Sequence, residues 1–377
     1  MTGFEVTSPC LGRTIQGARR SRGWPRNSLH NFRSRLTLKP LPITQARLVV
    51  TVGREEWLEG QLLALLETSF TTEVRVVGDP SSVGGYASKW RILLQESLFL
   101  LQLLGTPRYY AGRVRFVCLG GHYAVLAFAR ICRPWVHHEV FLSNFYIHAL
   151  GSSRMFSAIL QLLLNGSVRV ATQSSADNAY FAKFLPAANI TKIPIALDRP
   201  SIRSVPAVAP GYFFSGGWTN RDYRLLFEAA GELPEERFVV VRSLKTKTPA
   251  LTSNIADFTD LPAADFHGLM AGSKGVIVPL LKDVGSSGQM VVLAAMSMGK
   301  PIVTAGVGAI TDYVEDGKSA LYYELGNRAS LVDKLRLLIS DPSLGERLGS
   351  SALVAHRQYT TVERNKRLGE FFISAEL

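Results

Sequence analysis

Short apolar runs rich in β-branched residues alternate with longer amphipathic segments along most of the chain, from Leu48 onward. In the first half these runs are "LVVTVG", "EVRVVGD", "VRFVCLGG", "HEVFLSNF", "SVRVATQS" and "ITKIPIA". In the second half they are "GYFFSGG", "RFVVVRS", "GVIVPL" and "PIVTAG". Such alternation is typical of parallel strands covered by helices on both faces. The pattern therefore predicts two α/β halves, with ligands bound beyond the carboxyl ends of the strands.

The segment between the halves, "ALDRPSIRSVPAVAP", is rich in proline and has neither a helical nor a strand period, so we interpret it as a linker. A chain of 377 residues is long enough for two domains with separate cores. The predicted organisation is a basic extension at 1–45, a first domain at 46–195, the linker at 196–210, a second domain at 211–353 and a terminal helical segment at 354–377.

Positive charge is concentrated at the N-terminal end. Residues 1–54 carry ten Lys or Arg and one acid, a net charge of +9, so that +3 of the total of +12 belongs to the rest of the chain. Such an extension could contact anionic lipid or nucleic acid, act as an Arg-rich targeting peptide, or be solvated without a role. We expect no nucleic-acid partner, because no recognition motif accompanies the charge.

The apolar segments predict no membrane span, and the basic extension lacks the apolar core of a secretory signal. The longest of them, residues 92–105, is interrupted by Gln95, Glu96 and Ser97 and predicts a core or interfacial helix. The three cysteines form no CxxC pair, which fits a reducing compartment. We therefore expect a cytoplasmic protein with peripheral contact to the inner face of an anionic membrane.

Glycine and small hydroxyl residues follow three predicted strands of the second half, in "SGGWTNRDY", "VVVRS" and "VGSSGQ". Free N–H groups at a helix N-terminus form an anion site when glycines allow close backbone approach. The last of these loops predicts a phosphate or diphosphate against Ser286, Ser287, Gly288 and Gln289. The alternative is a tight loop in which a serine caps the helix.

Four blocks of the second half, in their order and spacing, resemble the donor-binding domain of GT-B glycosyltransferases. They are "FSGGWTNRDYRLLFEAA", "FHGLMAGSKGVIVPL", "AAMSMGKPIVTAGVGAITDYVEDGKSALYYELGN" and "ASLVDKLRLLISDPSLGERLG", within residues 211–353. The first half is similar to the acceptor domain of that group in its pattern alone. The resemblance implies two Rossmann-like domains whose parallel sheets face a central cleft, and a nucleotide-diphosphate sugar as donor substrate. It also implies that the terminal helical segment at 354–377 packs back on the first domain.

One motif departs from the pattern of the group. The usual signature has two glutamates eight residues apart, and the block "AMSMGKP" aligns Ser286 and Ala294 with them. Neither residue can bind a ribose hydroxyl as a carboxylate does. No DxD motif occurs either, so we expect no metal ion or other cofactor, and the leaving diphosphate must be stabilised by cations and helix N–H groups.

The loops and the resemblance together predict the site residues. The donor would be bound by Ser215, Gly216, Gly217, Thr219, Asn220, Arg221, Ser243, Lys282, Ser286, Ser287, Gly288 and Gln289. Arg221 is the predicted phosphate clamp, with a surface arginine as the alternative reading. His122 is predicted as a general base or sugar contact, and with Gly121 and His148 it would face the acceptor. A buried histidine bonded to backbone is the alternative there.

The predicted function is transfer of a sugar from a nucleotide-diphosphate sugar to a glycan or a lipid-linked acceptor. A nucleotide-sugar epimerase or hydrolase on the same fold is the rival among enzymes. A non-catalytic protein that binds a sugar nucleotide or glycan is the rival outside enzymes, because the paired carboxylates are missing.

Overall fold

A computed structural model of the chain describes residues 47–52, 71–76, 89–110, 114–119, 123–136, 138–143, 154–164, 167–205, 208–246, 252–283 and 287–373. These residues all lie within one compact unit, Ile43–Leu377.

The first half of the chain forms a sheet whose described strands are all parallel, in the order β2-β1-β3-β4-β5-β6. The strands are β1 (Arg47–Val52), β2 (Thr71–Val76), β3 (Val114–Leu119), β4 (His138–Ser143), β5 (Val168–Thr172) and β6 (Ile190–Lys192). The helices are α1 (Lys89–Leu104), α2 (Tyr123–Cys132), α3 (Arg154–Leu163) and α4 (Ser175–Phe181). Val49, Phe116, Val140 and Val168 align across neighbouring strands and are buried, so the strand register builds the core.

The second half forms a second parallel sheet, in the order β12-β11-β10-β7-β8-β9. The strands are β7 (Tyr212–Gly216), β8 (Phe238–Arg242), β9 (Ile255–Thr259), β10 (Ser273–Val278), β11 (Ile302–Ala305) and β12 (Leu321–Tyr323). The helices are α5 (Tyr223–Gly231), α6 (Ala263–Ala271), α7 (Gln289–Ser297), α8 (Arg328–Ser340), α9 (Pro342–His356) and α10 (Thr361–Ile373). The predicted architecture of two α/β domains with parallel sheets is confirmed.

The strand order of each sheet reverses at one point. In the second sheet the chain runs outward from β7 to β9 and then returns to place β10 on the other side of β7. In the first sheet the same reversal occurs between β1 and β3. Because the loops on either side of such a point separate, a crevice opens beyond the carboxyl ends of the two strands, and ligands bind there. In the second sheet, that crevice is flanked by the loops after Gly216 and Val278.

Two adjacent residues of the second domain, Asp312 and Tyr313, bind the first domain. Asp312 ends a short 3₁₀ helix, Gly308–Asp312, and its carboxylate accepts hydrogen bonds from the Ser175 N–H at 2.7 Å, the Ser175 hydroxyl at 2.6 Å and Lys192 Nζ at 2.7 Å. The Tyr313 hydroxyl donates to the Gln173 carbonyl at 3.2 Å. Burial alone would raise the pKa of Asp312, but the hydrogen bonds from Lys192 and Ser175 outweigh it and lower the pKa below its ordinary value of 3.8.

Replacement of Asp312 with asparagine should destabilise the protein in a pH-dependent way. A carboxyl whose pKa is lower in the folded state stabilises the fold above its unfolded-state pKa, and this contribution is lost as the pH falls through the folded-state pKa. Asp312→Asn should therefore lower Tm at pH 7, and its deficit should shrink as the pH falls below about 4. Thermal unfolding between pH 7 and pH 3 measures this. The control is Asp333→Asn, whose side chain is 72% exposed. A deficit that does not vary with pH, or that the control shares, would contradict the prediction.

The last helix packs on the first sheet although it follows the second domain in the chain. Phe371 and Phe372 on α10 make edge-on ring contacts with Phe141 on β4, with centroid distances of 5.4 and 6.0 Å. Arg115 Nη1 on β3 donates to the Phe372 carbonyl at 3.3 Å. The helix thus joins the C-terminal end of the described chain to strands β3, β4 and β5 in one hydrophobic cluster.

Helix α1 is the apolar segment that the sequence predicts to be a core or interfacial helix. One side of it is buried in the first domain and the other side is exposed. Phe99 and Leu103 are buried in the first core, whereas Leu94, Leu98 and Leu101 are exposed. None of the helices in the described part of the chain is long and apolar enough to cross a membrane.

Candidate functional site

The residues predicted to bind the donor fall on loops at the carboxyl edge of the second sheet. Ser215 and Gly216 end β7, Ser243 follows β8, Lys282 follows β10, and Gln289 begins α7. Gly217, Thr219, Asn220 and Arg221 lie in the loop after β7, and Ser287 and Gly288 precede α7. Ser286, Gly121, His122 and His148 lie outside the described residues.

The loops after β7 and β10, on either side of the crevice, are hydrogen-bonded to each other. Asn220 Nδ2 donates to the Lys282 carbonyl at 2.9 Å, and Asn220 Oδ1 accepts from the Lys282 N–H at 3.1 Å. The Asp222 N–H donates to the Pro279 carbonyl at 2.8 Å. Asn220 reaches this position with a φ of 53°, a left-handed conformation that asparagine tolerates better than most residues. The side chain of Asn220 and the backbone of Lys282 thus hold the two loops together.

The guanidinium of Arg221 lies across the backbone of Gly217. Its Nε donates to the Gly216 carbonyl at 3.1 Å and its Nη1 to the Thr219 carbonyl at 2.8 Å. A Cβ at Gly217 would approach Arg221 Nη2 to 2.7 Å, and the φ of 132° disfavours any other residue there. The guanidinium can therefore occupy this position only because residue 217 has no side chain. Among the described residues, Nη2 has no acceptor, so this end of the fork is free for an anion.

The side chain of Arg221 is partly shielded from solvent. Burial lowers the pKa of Arg221, and the neighbouring hydroxyls of Tyr223 and Tyr323 act in the opposite direction. Tyr323, the last residue of β12, is affected by burial too: its pKa is raised, because burial disfavours the charged form of either side chain. A cation in such a place interacts with an anion more strongly than one in water, because the effective dielectric constant is lower. Arg221 is thus partly buried beside the crevice, and the surface-arginine alternative does not describe it.

The N-terminus of α7 has no side-chain cap. Gly288 is the N-cap, with a φ of 89°, and no side chain accepts a hydrogen bond from the first turn. The serine-cap alternative for "GSSG" is therefore wrong for the described residues Ser287 and Gly288. Exposed N–H groups and the helix dipole at such an end favour an anion.

Buried polar atoms without partners occur around this edge. Within the described chain, no hydrogen-bond partner is found for Ser215 Oγ, Ser287 Oγ and Gln289 Nε2. Ser215 is the penultimate residue of β7, and Gln289 is the first residue of α7. Buried polar groups in proteins are almost always satisfied, by protein, water or ligand. Their position at one sheet edge indicates a site for a polar ligand.

Sequence reasoning missed Asp260, which joins the loops after three strands. Its carboxylate accepts from Trp218 Nε1 at 3.3 Å and from the Leu244 N–H at 3.2 Å. Trp218 also stacks on Phe266, with ring centroids 5.5 Å apart. The predicted Ser243 lies in the same loop cluster, where its hydroxyl accepts from the Lys245 N–H at 3.3 Å. Trp218 offers a half-exposed aromatic face at this end of the sheet.

No group of three or more His, Cys, Asp or Glu side chains that could hold a metal ion is found in the part of the chain that the structure describes. Among the described residues of this edge, positive charge for an anion is offered by Arg221, by the Lys282 side chain and by the α7 N-terminus.

Residues 210–341, which include this whole edge, match the family model described as Glycosyl transferases group 1. These residues form a group 1 glycosyltransferase domain. This match and the architecture confirm the predicted class of enzyme. No curated protein sequence matches the chain.

Solved structures share the architecture of this glycosyltransferase over most of its length. Sucrose-phosphate synthase from Thermosynechococcus elongatus has a TM-score of 0.63 at 12% identity, over 88% of this chain and 99% of that chain. A glycosyltransferase from Rickettsia africae has a TM-score of 0.62 at 11% identity, with coverages of 88% and 100%. Anabaena HepE, solved in complex with UDP, has a TM-score of 0.59 at 13% identity, with coverages of 88% and 100%. These structures show that the fold is GT-B.

Proposed function

We propose that this glycosyltransferase moves a sugar from a nucleotide-diphosphate sugar to a glycan or lipid-linked acceptor without a metal ion. The observation that carries the proposal is the pairing of Arg221, laid over Gly217, with the uncapped N-terminus of α7 at the switch point of the second sheet. UDP is the first nucleotide to test, because Anabaena HepE has been solved with UDP and with UDP-glucose.

The chemistry requires stabilisation of a leaving diphosphate. An acceptor hydroxyl bonds to the anomeric carbon of the sugar, the bond from that carbon to the diphosphate oxygen breaks, and negative charge grows on the diphosphate. The free end of the Arg221 guanidinium and the N–H groups of α7 would bind that charge. The proton of the acceptor hydroxyl must go to a base, for which His122 stays the predicted candidate.

The two positions that aligned with the paired glutamates bear on the choice between an enzyme and a binding protein. Ala294 is buried in α7 and has no polar group, and Ser286 lies outside the described residues. Gln289 brings a neutral amide to the same helix end, with its Nε2 unpartnered among the described residues. Neutral donors of this kind can bind phosphate or sugar hydroxyls, so catalysis without the carboxylates is chemically consistent. The same proposal includes a location for the enzyme, which is the cytoplasm at the inner face of a membrane.

Thermal unfolding with a panel of UDP, GDP, ADP and CDP tests the donor site. A nucleotide at roughly 100 times its Kd should add about 2.7 kcal/mol to the free energy of unfolding, an increase of several degrees in Tm. We expect the largest shift with UDP, unchanged by EDTA. Release of UDP from UDP-sugars, measured with and without acceptor, then separates the functions. Release without acceptor supports a hydrolase, and binding without any turnover supports the non-catalytic alternative. No shift with any nucleotide would refute the donor site.

A further inference from the structure

The outer face of α1 carries a stripe of leucines. Leu94, Leu98 and Leu101 are 62%, 52% and 64% exposed, and their spacing of four and three residues places them on one side of the helix. Phe99 and Leu103, which are buried, lie on the opposite side. A helix with apolar residues on two opposite sides normally has a partner on each of them, and within the described residues only the inner side of α1 has one.

The neighbouring helices continue this apolar surface. α2 packs against both α1 and α3, so the three helices form one layer on the first sheet. Exposed apolar side chains on α2, α3 and the turn after α2 are Ile131, Trp135, Ile159 and Leu162. We call the outer surface of this layer, formed by these four residues and the three leucines, the α1–α3 face. A set of this size on adjacent helices marks an interaction surface.

The charge of this region is unlike that of the rest of the folded chain. Residues 89–164 contain eight Lys or Arg and two acids, a net charge of +6. The remainder of residues 55–377 contains 24 Lys or Arg and 27 acids, a net charge of −3. Both acids of the first group are engaged inside the domain: Glu96 accepts from the Ala124 N–H at 2.7 Å, and Glu139 pairs with Arg115.

Exposed cations lie beside the exposed apolar residues. Arg130 and Arg133 are exposed on either side of Ile131, and Trp135 follows two residues later. Leucine for the acyl region, tryptophan for the interface and arginine for phosphate headgroups are the side chains that interfacial proteins present to a bilayer. A second copy of the chain is a poor occupant, because a symmetric dimer through this face would bring two like-charged surfaces together.

We propose that the α1–α3 face binds the surface of an anionic lipid bilayer, with Leu94, Leu98 and Leu101 inserted below the headgroups. The proposal deepens the membrane location given under the proposed function, and it assigns that location to the folded domain instead of the basic extension. The cations add affinity for anionic lipid, and the leucines supply the insertion.

Co-sedimentation of the full-length chain with vesicles tests the proposal. The vesicles are phosphatidylcholine alone and phosphatidylcholine with roughly a third phosphatidylglycerol. The variant Leu94→Gln/Leu98→Gln/Leu101→Gln should bind anionic vesicles at least roughly tenfold more weakly than wild type. The matched control, Leu337→Gln/Leu353→Gln/Val354→Gln, changes three exposed apolar residues of the second domain and should bind as wild type does. Arg130→Gln/Arg133→Gln should weaken binding to anionic vesicles only.

The other results each overturn the proposal. If the leucine variant sediments like wild type while Arg19→Gln/Arg20→Gln/Arg22→Gln does not, the basic extension is the membrane contact. If the wild type does not bind vesicles and sediments in ultracentrifugation as a dimer, and the leucine variant sediments as a monomer, a second copy of the chain covers the face. The Tm shift with UDP is measured on every variant, since a failed donor site would remove that shift and leave vesicle binding unchanged.

Discussion

Replacement of Arg221 with alanine should remove most of the stabilisation by UDP and most of the transferase activity. A hydrogen bond to a charged group contributes about 1.5–3 kcal/mol, so loss of the guanidinium should weaken the binding of UDP roughly 10- to 100-fold. Because charge on the diphosphate is greatest as the sugar leaves, kcat/KM should fall further, by roughly 100- to 1000-fold. Calorimetric titration of UDP and initial rates with a UDP-sugar measure the two effects.

Arg224 provides the matched control for Arg221. It lies three residues further along, its side chain is 82% exposed, and it pairs with Glu228 on the same helix at 2.9 Å. An exposed pair of this kind contributes little to stability, so Arg224→Ala should bind UDP as wild type does. An equal loss of UDP affinity in both variants would indicate a general effect of positive charge on this surface. No loss in Arg221→Ala would leave the helix N-terminus as the whole anion site.

The strands that the sequence predicted are those with long, uninterrupted apolar runs. β7, β8, β10 and β11 are the central strands of the second sheet, buried on both faces, and their runs are correspondingly continuous. β9 and β12 were not predicted, and both are edge strands. β9, "IADFT", has its first residue buried and the others partly or fully exposed, and β12 has three residues. Short or half-exposed edge strands carry a weak pattern, and β6, an edge strand of three residues, was recognised because it begins the apolar run "ITKIPIA".

The candidate site shows the same limit. Glycines next to a helix start led to the prediction of Gly217, Gly288 and the neighbouring Arg221, and both glycines have the positive φ that leaves such a local signature. Tyr323 and Asp260 leave none. Tyr323 comes to Arg221 from an edge strand a hundred residues later, and Asp260 joins three loops only once the strands are in order. Long-range juxtaposition of this kind follows from sheet topology, which single segments do not encode.

Replacement of Gly349 with alanine should destabilise the protein by about 3 kcal/mol, at the upper end of the cost of overpacking. Gly349 lies in α9 where this helix crosses the end of α7, and a Cβ there would approach the Gly299 carbonyl oxygen to 2.1 Å. The contact is with backbone, so no side-chain rotation can relieve it and the two helices must separate. Urea unfolding monitored by circular dichroism measures the loss.

The same helix contains its own control at Gly345. A Cβ there would meet Pro301 Cγ at 3.7 Å, an ordinary contact. Gly345→Ala should therefore stabilise the protein by about 0.5–1 kcal/mol, since alanine is the better helix former. Because α7 also carries the proposed anion site, the shift of its C-terminal end in Gly349→Ala should weaken UDP binding as well, whereas Gly345→Ala should leave UDP binding unchanged. Destabilisation without any loss of UDP binding would mean that the N-terminus of α7 is positioned by its own loop and by Ile310, which Gly288 approaches, and not by α9.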